Sequence, residues 1–376
     1  MRVVHYPLQS NIDVNELKKL VSFISEKVQN YEVKDSKLIL YVDDDANEES
    51  ILCNAKLLIR EYLSFNGTEE IIYQKEIKKK YISISNVLNS HLIHEFGFGL
   101  LGLSEKAVFL FRYFDNRFKR IALSINAVEK LYPVLLPLDG YEKTGYLKTS
   151  PQYSMFCCSF YEDVNELLYL SSSDNNYKLK QPREVLSPAA CFHTYLELMN
   201  SDLQAPSVYT FNQNVFRNEG RFNWGGFGRL KDYHVREIVC IGSDDFVVEM
   251  RTKILNETIS ILEDLELSSS ISIASDPFIL PKMQKYKKLQ HQESSKLELR
   301  LNYSKDEQLS CTSFNLHGTS FSHPFNIEVK GCGETVTGCV GYGIERWVLA
   351  FMCQYGLEVN NWPQKIRGEF DNEKYS

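Results

Sequence analysis

The 376-residue sequence lacks an apolar run approaching the roughly 20 residues that a membrane-spanning helix needs. Residues 1–13 show no charged-then-apolar leader, and the sequence contains no internal repeat and no low-complexity tail. Its nine cysteines are scattered, odd in number and mostly embedded in apolar stretches, so they do not indicate a secretory disulfide framework. We therefore expect a reduced, cytoplasmic protein without a membrane segment.

The sequence also lacks an excess of basic charge. Its formal net charge is −7, so the molecule as a whole has no general electrostatic attraction for nucleic acid or for an anionic membrane. The tight basic cluster that it does contain is Lys78–Lys80. A composition of 43% hydrophobic and 24% charged residues is typical of a globular protein, and the chain is long enough to bury a large core.

Apolar periodicity divides the chain into two parts. Residues 1–95 are predicted to form a small α/β appendage, with strands at 1–8, 37–44 and 70–77 and amphipathic helices over 13–30 and 47–63. This appendage shows no nucleotide-binding loop and no metal-ligand spacing. Residues 96–376 are predicted to form one larger α+β domain, which begins with a long helix over 106–131 followed by a strand that stops at Pro137.

Polar and aromatic residues concentrate in a predicted hairpin over 210–242. Two strand patterns, TFNQNVFRNE and RLKDYHVREIVCI, are joined by a glycine-rich polar loop. Strand alternation brings two arginines, two glutamates and one aromatic ring to one surface: Arg217, Glu219, Arg229, Tyr233 and Glu237. Arginine binds phosphate through its planar fork, Tyr233 can stack on a base, and Glu219 can accept from an exocyclic amine. The surface suits a nucleoside triphosphate, although an ordinary amphipathic hairpin with exposed ion pairs would show the same charges.

The order of these residues resembles a known family. Phe-Arg-x-Glu, a loop and Arg-x-x-x-Tyr-x-x-x-Glu resemble motif 2 of the class II aminoacyl-tRNA synthetases, and Gly-Tyr-Gly-Ile-Glu-Arg at 341–346 before an apolar helix resembles motif 3. The helix, strand and proline ending at Pro137 resemble motif 1, which forms the dimer interface in that family. The resemblance implies an antiparallel sheet flanked by helices and a homodimer through residues 131–137.

The same resemblance implies roles for individual residues. Arg217 would hold the α-phosphate of ATP and Arg346 the γ-phosphate, which makes these two arginines the catalytic candidates. Glu307 matches the position at which these synthetases place a carboxylate on the Mg²⁺ that bridges the ATP phosphates. The residues implied to bind ATP are Arg217, Glu219, Arg229, Tyr233, Glu307 and Arg346, and those implied to border the amino acid are Lys296, Asn315 and His317.

Three further residues resemble those of a smaller group within this family. Cys191, in LSPAACFHTY, stands where many class II synthetases carry a glutamate for the substrate amine. Together with Glu237 at the end of motif 2 and Cys339 before motif 3, it resembles the zinc-dependent atypical archaeal seryl-tRNA synthetases and the amino acid:carrier protein ligases. Two thiolates and a carboxylate are suitable Zn²⁺ ligands and leave a fourth position for the amine. On their own, however, cysteines in apolar stretches are commonly buried hydrophobic residues.

The ligase resemblance extends over roughly residues 97–367 and includes GYLKTSPQ and CTSFNLHGTSFSHPF. It implies ATP-dependent activation of a small amino acid as an aminoacyl-adenylate, followed by transfer to the phosphopantetheine thiol of an acyl or peptidyl carrier protein. The acidic charge favours this acceptor over tRNA. One alternative is a zinc-dependent, seryl-like tRNA synthetase in which residues 1–95 bind tRNA through Lys78–Lys80. Another is a non-catalytic paralogue that serves as a binding or regulatory subunit, which the intact arginines argue against.

Overall fold

The computed structural model describes residues 1–8, 14–63, 70–172, 178–223, 227–276 and 278–373. Residues 1–63 build a small three-stranded sheet with two helices. Its strands are β1 (Arg2–Pro7), β2 (Val28–Lys34) and β3 (Lys37–Val42), and its helices are α1 (Val14–Val21) and α2 (Glu48–Leu63). The central strand β3 pairs antiparallel with both neighbours. We call residues 1–63 the N-terminal unit.

The helix predicted over 13–30 is wrong in its second half. Helix α1 ends at Val21 and strand β2 begins at Val28, while Asp13 lies outside the described residues. Leu20, Ile24 and Val28 are nevertheless all buried in one core. The apolar spacing therefore predicted correctly that these residues are buried. It did not identify the secondary structure, because a helix followed by a strand buries the same residues.

Beyond residue 69, the described strands continue in chain order. They are β4 (Ile71–Lys75), β5 (Ile93–Gly97), β6 (Leu100–Leu103), β7 (Val128–Glu129), β8 (Leu135–Pro137), β9 (Met155–Cys157), β10 (Glu184–Leu186), β11 (Ser201–Leu203), β12 (Ser207–Phe216), β13 (Asp232–Gly242), β14 (Ser269–Ile273), β15 (Lys296–Asn302), β16 (Gln308–Gly318), β17 (Ile327–Val329) and β18 (Val336–Gly343). The helices are α3 (Ile84–Leu88), α4 (Glu105–Ser124), α5 (Leu138–Lys143), α6 (Tyr146–Thr149), α7 (Val164–Ser172), α8 (Phe192–Glu197), α9 (Asp244–Asp264), α10 (Gln284–Gln292), α11 (Ser322–Phe325), α12 (Ile344–Tyr355) and α13 (Gln364–Glu373).

Eight described strands form the central sheet in the order β4-β14-β15-β16-β18-β13-β12-β7. Neighbouring strands are antiparallel except for the parallel pair β12–β7. This sheet and its helices confirm the α+β class and the class II arrangement of an antiparallel sheet flanked by helices. Strand β4 comes from the predicted appendage yet forms one edge of the sheet, and the division at residues 95 and 96 stays a prediction.

The long helix is shorter than the sequence predicts. Helix α4 ends at Ser124 rather than near residue 131. Asn126 follows it with a positive φ of 61°, a left-handed conformation that ends helices and that asparagine tolerates. The short strand β7 then joins the sheet edge beside β12.

The central sheet separates two hydrophobic clusters. One face packs against α4, α9 and α12, and the other packs against α5 and α8. Successive residues of β13 serve the two faces in turn, so Ile238 and Cys240 join the first cluster while Val235 and Val239 join the second. Within the described ranges, no helix is both long enough and apolar enough to cross a membrane.

Candidate active site

The hairpin predicted from the sequence is present with shorter strands. Strands β12 and β13 pair residue by residue from Ser207–Ile241 to Phe216–Asp232. Arg217, Glu219 and Arg229 therefore lie beyond the strand ends, and the loop rather than strand alternation brings them to one side. Residues 224–226 of this loop lie outside the described residues.

Three arginines gather around the carboxylate of Glu219. Nη1 of Arg229 donates to Oε2 of Glu219 at 2.9 Å, and Nη2 of Arg346 lies 3.8 Å from Oε1. Burial alone would raise the pKa of Glu219, but the charges of Arg229, Arg346 and Arg217 together lower it. We call these four residues the arginine cluster. It is a half-buried site with surplus positive charge, which suits a polyanion.

Backbone carbonyls hold two of these arginines in place. Arg346, in the first turn of α12, donates from Nε to the Gly228 carbonyl at 3.1 Å, and its guanidinium lies 4.8 Å from the ring centroid of Tyr233. Arg217 donates from Nε to the Pro188 carbonyl at 2.8 Å. Tyr233 is buried, so in this structure its ring supports Arg346. Both guanidinium groups are fixed before any ligand arrives.

A second cluster contains Cys191, Glu237 and Cys339. Cys191 immediately precedes α8, Glu237 lies on β13 and Cys339 lies on β18. One ligand atom from each residue lies within 4.8 Å of the others, and all three residues are buried. We call this set the thiol–carboxylate cluster. Residues far apart in sequence thus converge on one point, as the sequence resemblance implied.

A glycine makes room for the carboxylate of this cluster. Gly341 of β18 pairs with Glu237 across the ladder. A Cβ at Gly341 would lie 2.7 Å from Oε2 of Glu237, so any larger residue would displace the carboxylate.

The thiol–carboxylate cluster fits a zinc ion. Burial raises the pKa of Glu237 to about 7, although a hydrogen bond from Cys339 and the charge of Arg217 oppose the shift. The hydrogen bond with Cys191 and burial raise the pKa of Cys339. A divalent cation would neutralise these crowded acidic groups, and two thiolates with one carboxylate form a three-ligand set with an open position.

Asn315 and His317 surround one of the cysteines. Nδ2 of Asn315 lies 3.5 Å from Sγ of Cys339, and Nε2 of His317 lies 3.6 Å from the same sulfur. Nδ1 of His317 lies 3.3 Å from the Tyr195 hydroxyl. Burial lowers the pKa of His317 to about 4, so its imidazole is neutral at physiological pH. These two predicted substrate residues therefore border the thiol–carboxylate cluster.

Lys296 forms a pair with a residue that sequence reasoning missed. Its Nζ lies 2.6 Å from Oδ1 of Asp276, and Nε2 of Gln290 donates to Oδ2 at 2.8 Å. Burial alone would raise the pKa of Asp276, but Lys296 and the Gln290 hydrogen bond lower it to about 2. The positive charge of Arg217 also lowers the pKa of both Asp276 and Lys296. No sequence motif indicated a role for Asp276. Its partners lie on α10 and β15, and only the folded chain brings these elements to it.

Glu307 differs from the other predicted residues in its exposure to solvent. It occupies the turn between β15 and β16. The Ser304 hydroxyl donates to the Glu307 carboxylate at 3.2 Å, and the Glu307 backbone amide donates to Oγ of Ser304 at 3.1 Å. Its side chain is exposed. The other predicted site residues are buried or half-buried.

Known proteins resemble this chain in sequence. It is 30% identical over 278 residues to the type-2 serine–tRNA ligase of Methanococcus maripaludis, an alignment that covers 69% of this chain and 54% of that relative. It is 29% identical over 277 residues to amino acid–(acyl-carrier-protein) ligase 1 of Bradyrhizobium diazoefficiens, covering 67% of this chain and 84% of that relative. These ligases are homologues of the chain.

The fold of the chain agrees with that homology. The seryl-tRNA synthetase of Methanopyrus kandleri, solved with tRNASec of Aquifex aeolicus, matches 98% of this chain and 77% of its own with a TM-score of 0.73 at 21% identity. The synthetase-like chain spans about half the length of the type-2 serine–tRNA ligase that it matches. No family model matches it.

Proposed function

We propose that the chain activates a small amino acid with ATP as an aminoacyl-adenylate and transfers it to the phosphopantetheine thiol of an acyl or peptidyl carrier protein. One observation carries the proposal. Tyr233, whose ring lies against Arg346, and Glu237 lie on the same face of β13, and the charge of Arg217 lowers the pKa of both Glu219 and Glu237. A triphosphate and an amine can therefore bind side by side.

The arginine cluster provides the chemistry of adenylation. The substrate carboxylate attacks the α-phosphorus of ATP, the bond from that phosphorus to the bridging oxygen breaks, and pyrophosphate leaves with the electron pair. Arg217 and Arg346, held by the Pro188 and Gly228 carbonyls, neutralise charge on the phosphates as it develops. An ionised carboxylate needs no general base, so positioning and charge neutralisation account for the step.

The thiol–carboxylate cluster positions the amino acid. Zn²⁺ held by Cys191, Glu237 and Cys339 would supply a Lewis-acid position for an uncharged amine. Asn315 and His317 fix the sulfur of Cys339 by their contacts with it. Fixing the amine leaves the substrate carboxylate to extend toward Arg217. Recognition of the amine alone would admit any α-amino acid, so the small side chain in the proposal is what the sequence resemblance implies.

Mg²⁺ on Glu307 completes the proposed ATP site. Mg²⁺ keeps several waters and binds through one or two carboxylates together with substrate phosphates. The exposed carboxylate of Glu307 suits that mode, since a ligand can reach it from solvent.

A homodimer through residues 131–137 is also part of the proposal. Leu131 is 89% exposed, and Val134 and Leu135 are 40% and 43% exposed. Apolar side chains of this size gain free energy when a second copy covers them. Sedimentation analysis should therefore give the mass of a dimer.

The acceptor of the activated amino acid has two candidates. The alignment spans 84% of the carrier-protein ligase and 54% of the serine–tRNA ligase, which supports a carrier protein. A type-2 serine–tRNA ligase at 30% identity supports charging of tRNA as the second candidate.

An acceptor comparison tests the proposal. The protein is incubated with ATP, Zn²⁺ and a labelled small amino acid, together with either a carrier protein bearing its phosphopantetheine arm or total tRNA. We expect label on the carrier protein as a hydroxylamine-sensitive thioester and none on the same carrier protein without its arm. Label on tRNA alone would favour the second candidate. No label on either acceptor, with no amino acid-dependent pyrophosphate exchange, would identify a non-catalytic paralogue.

A further inference from the structure

The N-terminal unit contacts the active-site hairpin directly. Residues 220–223 form a tight turn after Glu219, closed by a hydrogen bond from the Asn223 amide to the Gly220 carbonyl at 3.0 Å. We call these residues the loop turn. The loop turn lies on the segment of the N-terminal unit that leads from α1 into β2.

Arg221 makes the densest set of contacts between the two parts. Nη1 lies 2.5 Å from Oε2 of Glu26, while Nη2 donates to the carbonyls of Ser25 at 2.6 Å and Val28 at 2.7 Å. Its guanidinium therefore replaces water as the partner of two backbone acceptors. An exposed ion pair contributes little on its own, so the two carbonyl bonds carry this contact.

The neighbours of Arg221 fit the same surface. The Phe222 amide donates to Oγ of Ser22 at 3.0 Å, and the Phe222 ring meets Tyr31 edge-on with centroids 5.4 Å apart. A Cβ at Gly220 would lie 2.7 Å from Cβ of Ser22, and Gly220 has a positive φ of 89°. Only glycine allows this close approach in this conformation.

The loop turn is continuous with the arginine cluster. Nδ2 of Asn223 donates to the carbonyl of Glu219 at 2.6 Å, which fixes the residue whose carboxylate meets Arg229 and Arg346. A second connection reaches the other side of the site. Ile279, close after Asp276 in sequence, is buried in the hydrophobic core of the N-terminal unit.

We propose that the N-terminal unit positions the triphosphate-binding half of the active site, with Arg221 as the positioning residue that holds the loop turn and thereby Glu219 and Arg229. The identity of the ligand as ATP rests on the proposed function. The docking of the loop turn does not. Nothing in this role requires residues 1–63 to touch a substrate.

Two variants and a matched control separate positioning from general stability. Arg221→Ala removes all three bonds, and Arg221→Lys keeps the charge but cannot reproduce the fork. Arg2→Ala is the control, because Arg2 also bonds one carbonyl and one carboxylate, those of Ala46 and Glu48, entirely within the N-terminal unit. We expect similar melting temperatures for the alanine variants.

ATP affinity and hydrogen exchange are measured on the full-length proteins. Arg221→Ala should weaken ATP binding about 10- to 100-fold, in line with the cost of misplacing binding groups, while the KM for the amino acid and the zinc content stay unchanged. The ATP affinity of Arg221→Lys should fall between those of Arg221→Ala and the wild type. If Arg221→Ala does not fold, the comparison of Arg221→Lys with the wild type decides the question. Amides of residues 217–230 should exchange faster in Arg221→Ala than in Arg2→Ala.

Equal ATP affinity in Arg221→Ala and Arg2→Ala, or unchanged exchange over residues 217–230, would overturn the proposal. Failure of the proposed function has a different signature. If the wild-type protein binds no ATP, the function is wrong, and the exchange measurement still decides whether the N-terminal unit holds the loop turn.

Discussion

Glu219 and Glu237 belong to the same hairpin and are both buried, yet their surroundings shift their pKa values in opposite directions. Three arginines lower the pKa of Glu219 against the effect of burial. Burial among two thiols raises the pKa of Glu237 to about 7, and Arg217 opposes that shift only in part. Two glutamates of one hairpin therefore differ in the charge of the groups around them.

The difference shows which charges each half of the site supplies. The arginine cluster carries surplus positive charge fixed by backbone carbonyls, so it is prepared for an anion. The thiol–carboxylate cluster has surplus acidic groups, so it is prepared for a cation. A substrate pair consisting of a triphosphate and a metal-bound amine matches this division.

The largest effect should follow loss of a thiol from the thiol–carboxylate cluster. Cys191→Ala removes one of the three proposed zinc ligands, so zinc should fall from about one per chain to nearly none, and activation should drop on the order of 10³-fold. Elemental analysis and pyrophosphate exchange measure the two losses. Cys240→Ala is the control, because Cys240 is buried on the face of β13 opposite to Glu237. Retention of zinc by Cys191→Ala would contradict the assignment.

Loss of an arginine should have the next largest effect and should spare the metal. Arg217→Ala or Arg346→Ala removes a fixed positive charge from the phosphates, so activation should fall about 10²- to 10³-fold with zinc content unchanged. Arg183→Ala, at an exposed position, serves as the control. If activation in Arg217→Ala equalled that of the control, phosphate binding would have to be assigned elsewhere.

The same substitution at the two glutamates should lower stability at Glu219 and should not lower it at Glu237. Glu219→Gln leaves arginine donors without their carboxylate and should lower the free energy of unfolding by about 1–3 kcal/mol. In metal-free protein, Glu237→Gln removes a buried acid and should leave the melting temperature equal or higher. Thermal unfolding after chelation compares the two variants. A fall of similar size in both would remove the electrostatic distinction between them.

The smallest effect should be an acid-dependent loss of stability from Asp276. Its pKa is lowered to about 2 by Lys296 and Gln290 against the effect of burial. The charged form stabilises the folded state above the ordinary pKa near 4, and this contribution is lost as the pH falls toward 2. Because the side chain is 43% exposed, solvent screening keeps the effect modest. Chemical unfolding at pH 3 and pH 6 should show a smaller difference in Asp276→Asn than in the wild type.

The sequence predicted the fold class because the β12–β13 hairpin and the junction of β18 with α12 carry motifs in the order that class II synthetases show. It also named Cys191, Glu237 and Cys339, which the structure brings together. It misjudged the helix over 13–30, because a buried helix and a buried strand share the same apolar spacing there. Asp276 could not be found, since its role depends on Lys296 and Gln290 from other elements.

Contacts between the two parts of the chain were also beyond sequence reasoning. Arg221 belongs to the polar loop of the predicted hairpin, and its partners are the carbonyls of Ser25 and Val28. Every residue has a backbone carbonyl, so the identity of a residue does not show whether its carbonyl accepts a hydrogen bond from a distant side chain. The role of residues 1–63 therefore emerges only from the folded arrangement.

Amino acid-dependent exchange between ATP and pyrophosphate tests the central claim most directly. The assay is run across the common amino acids with zinc present and with no acceptor. The account predicts exchange with a small amino acid, and loss of that exchange when zinc is removed. Exchange that persists without zinc would contradict amine binding at the thiol–carboxylate cluster, and silence across the whole panel would contradict adenylation itself.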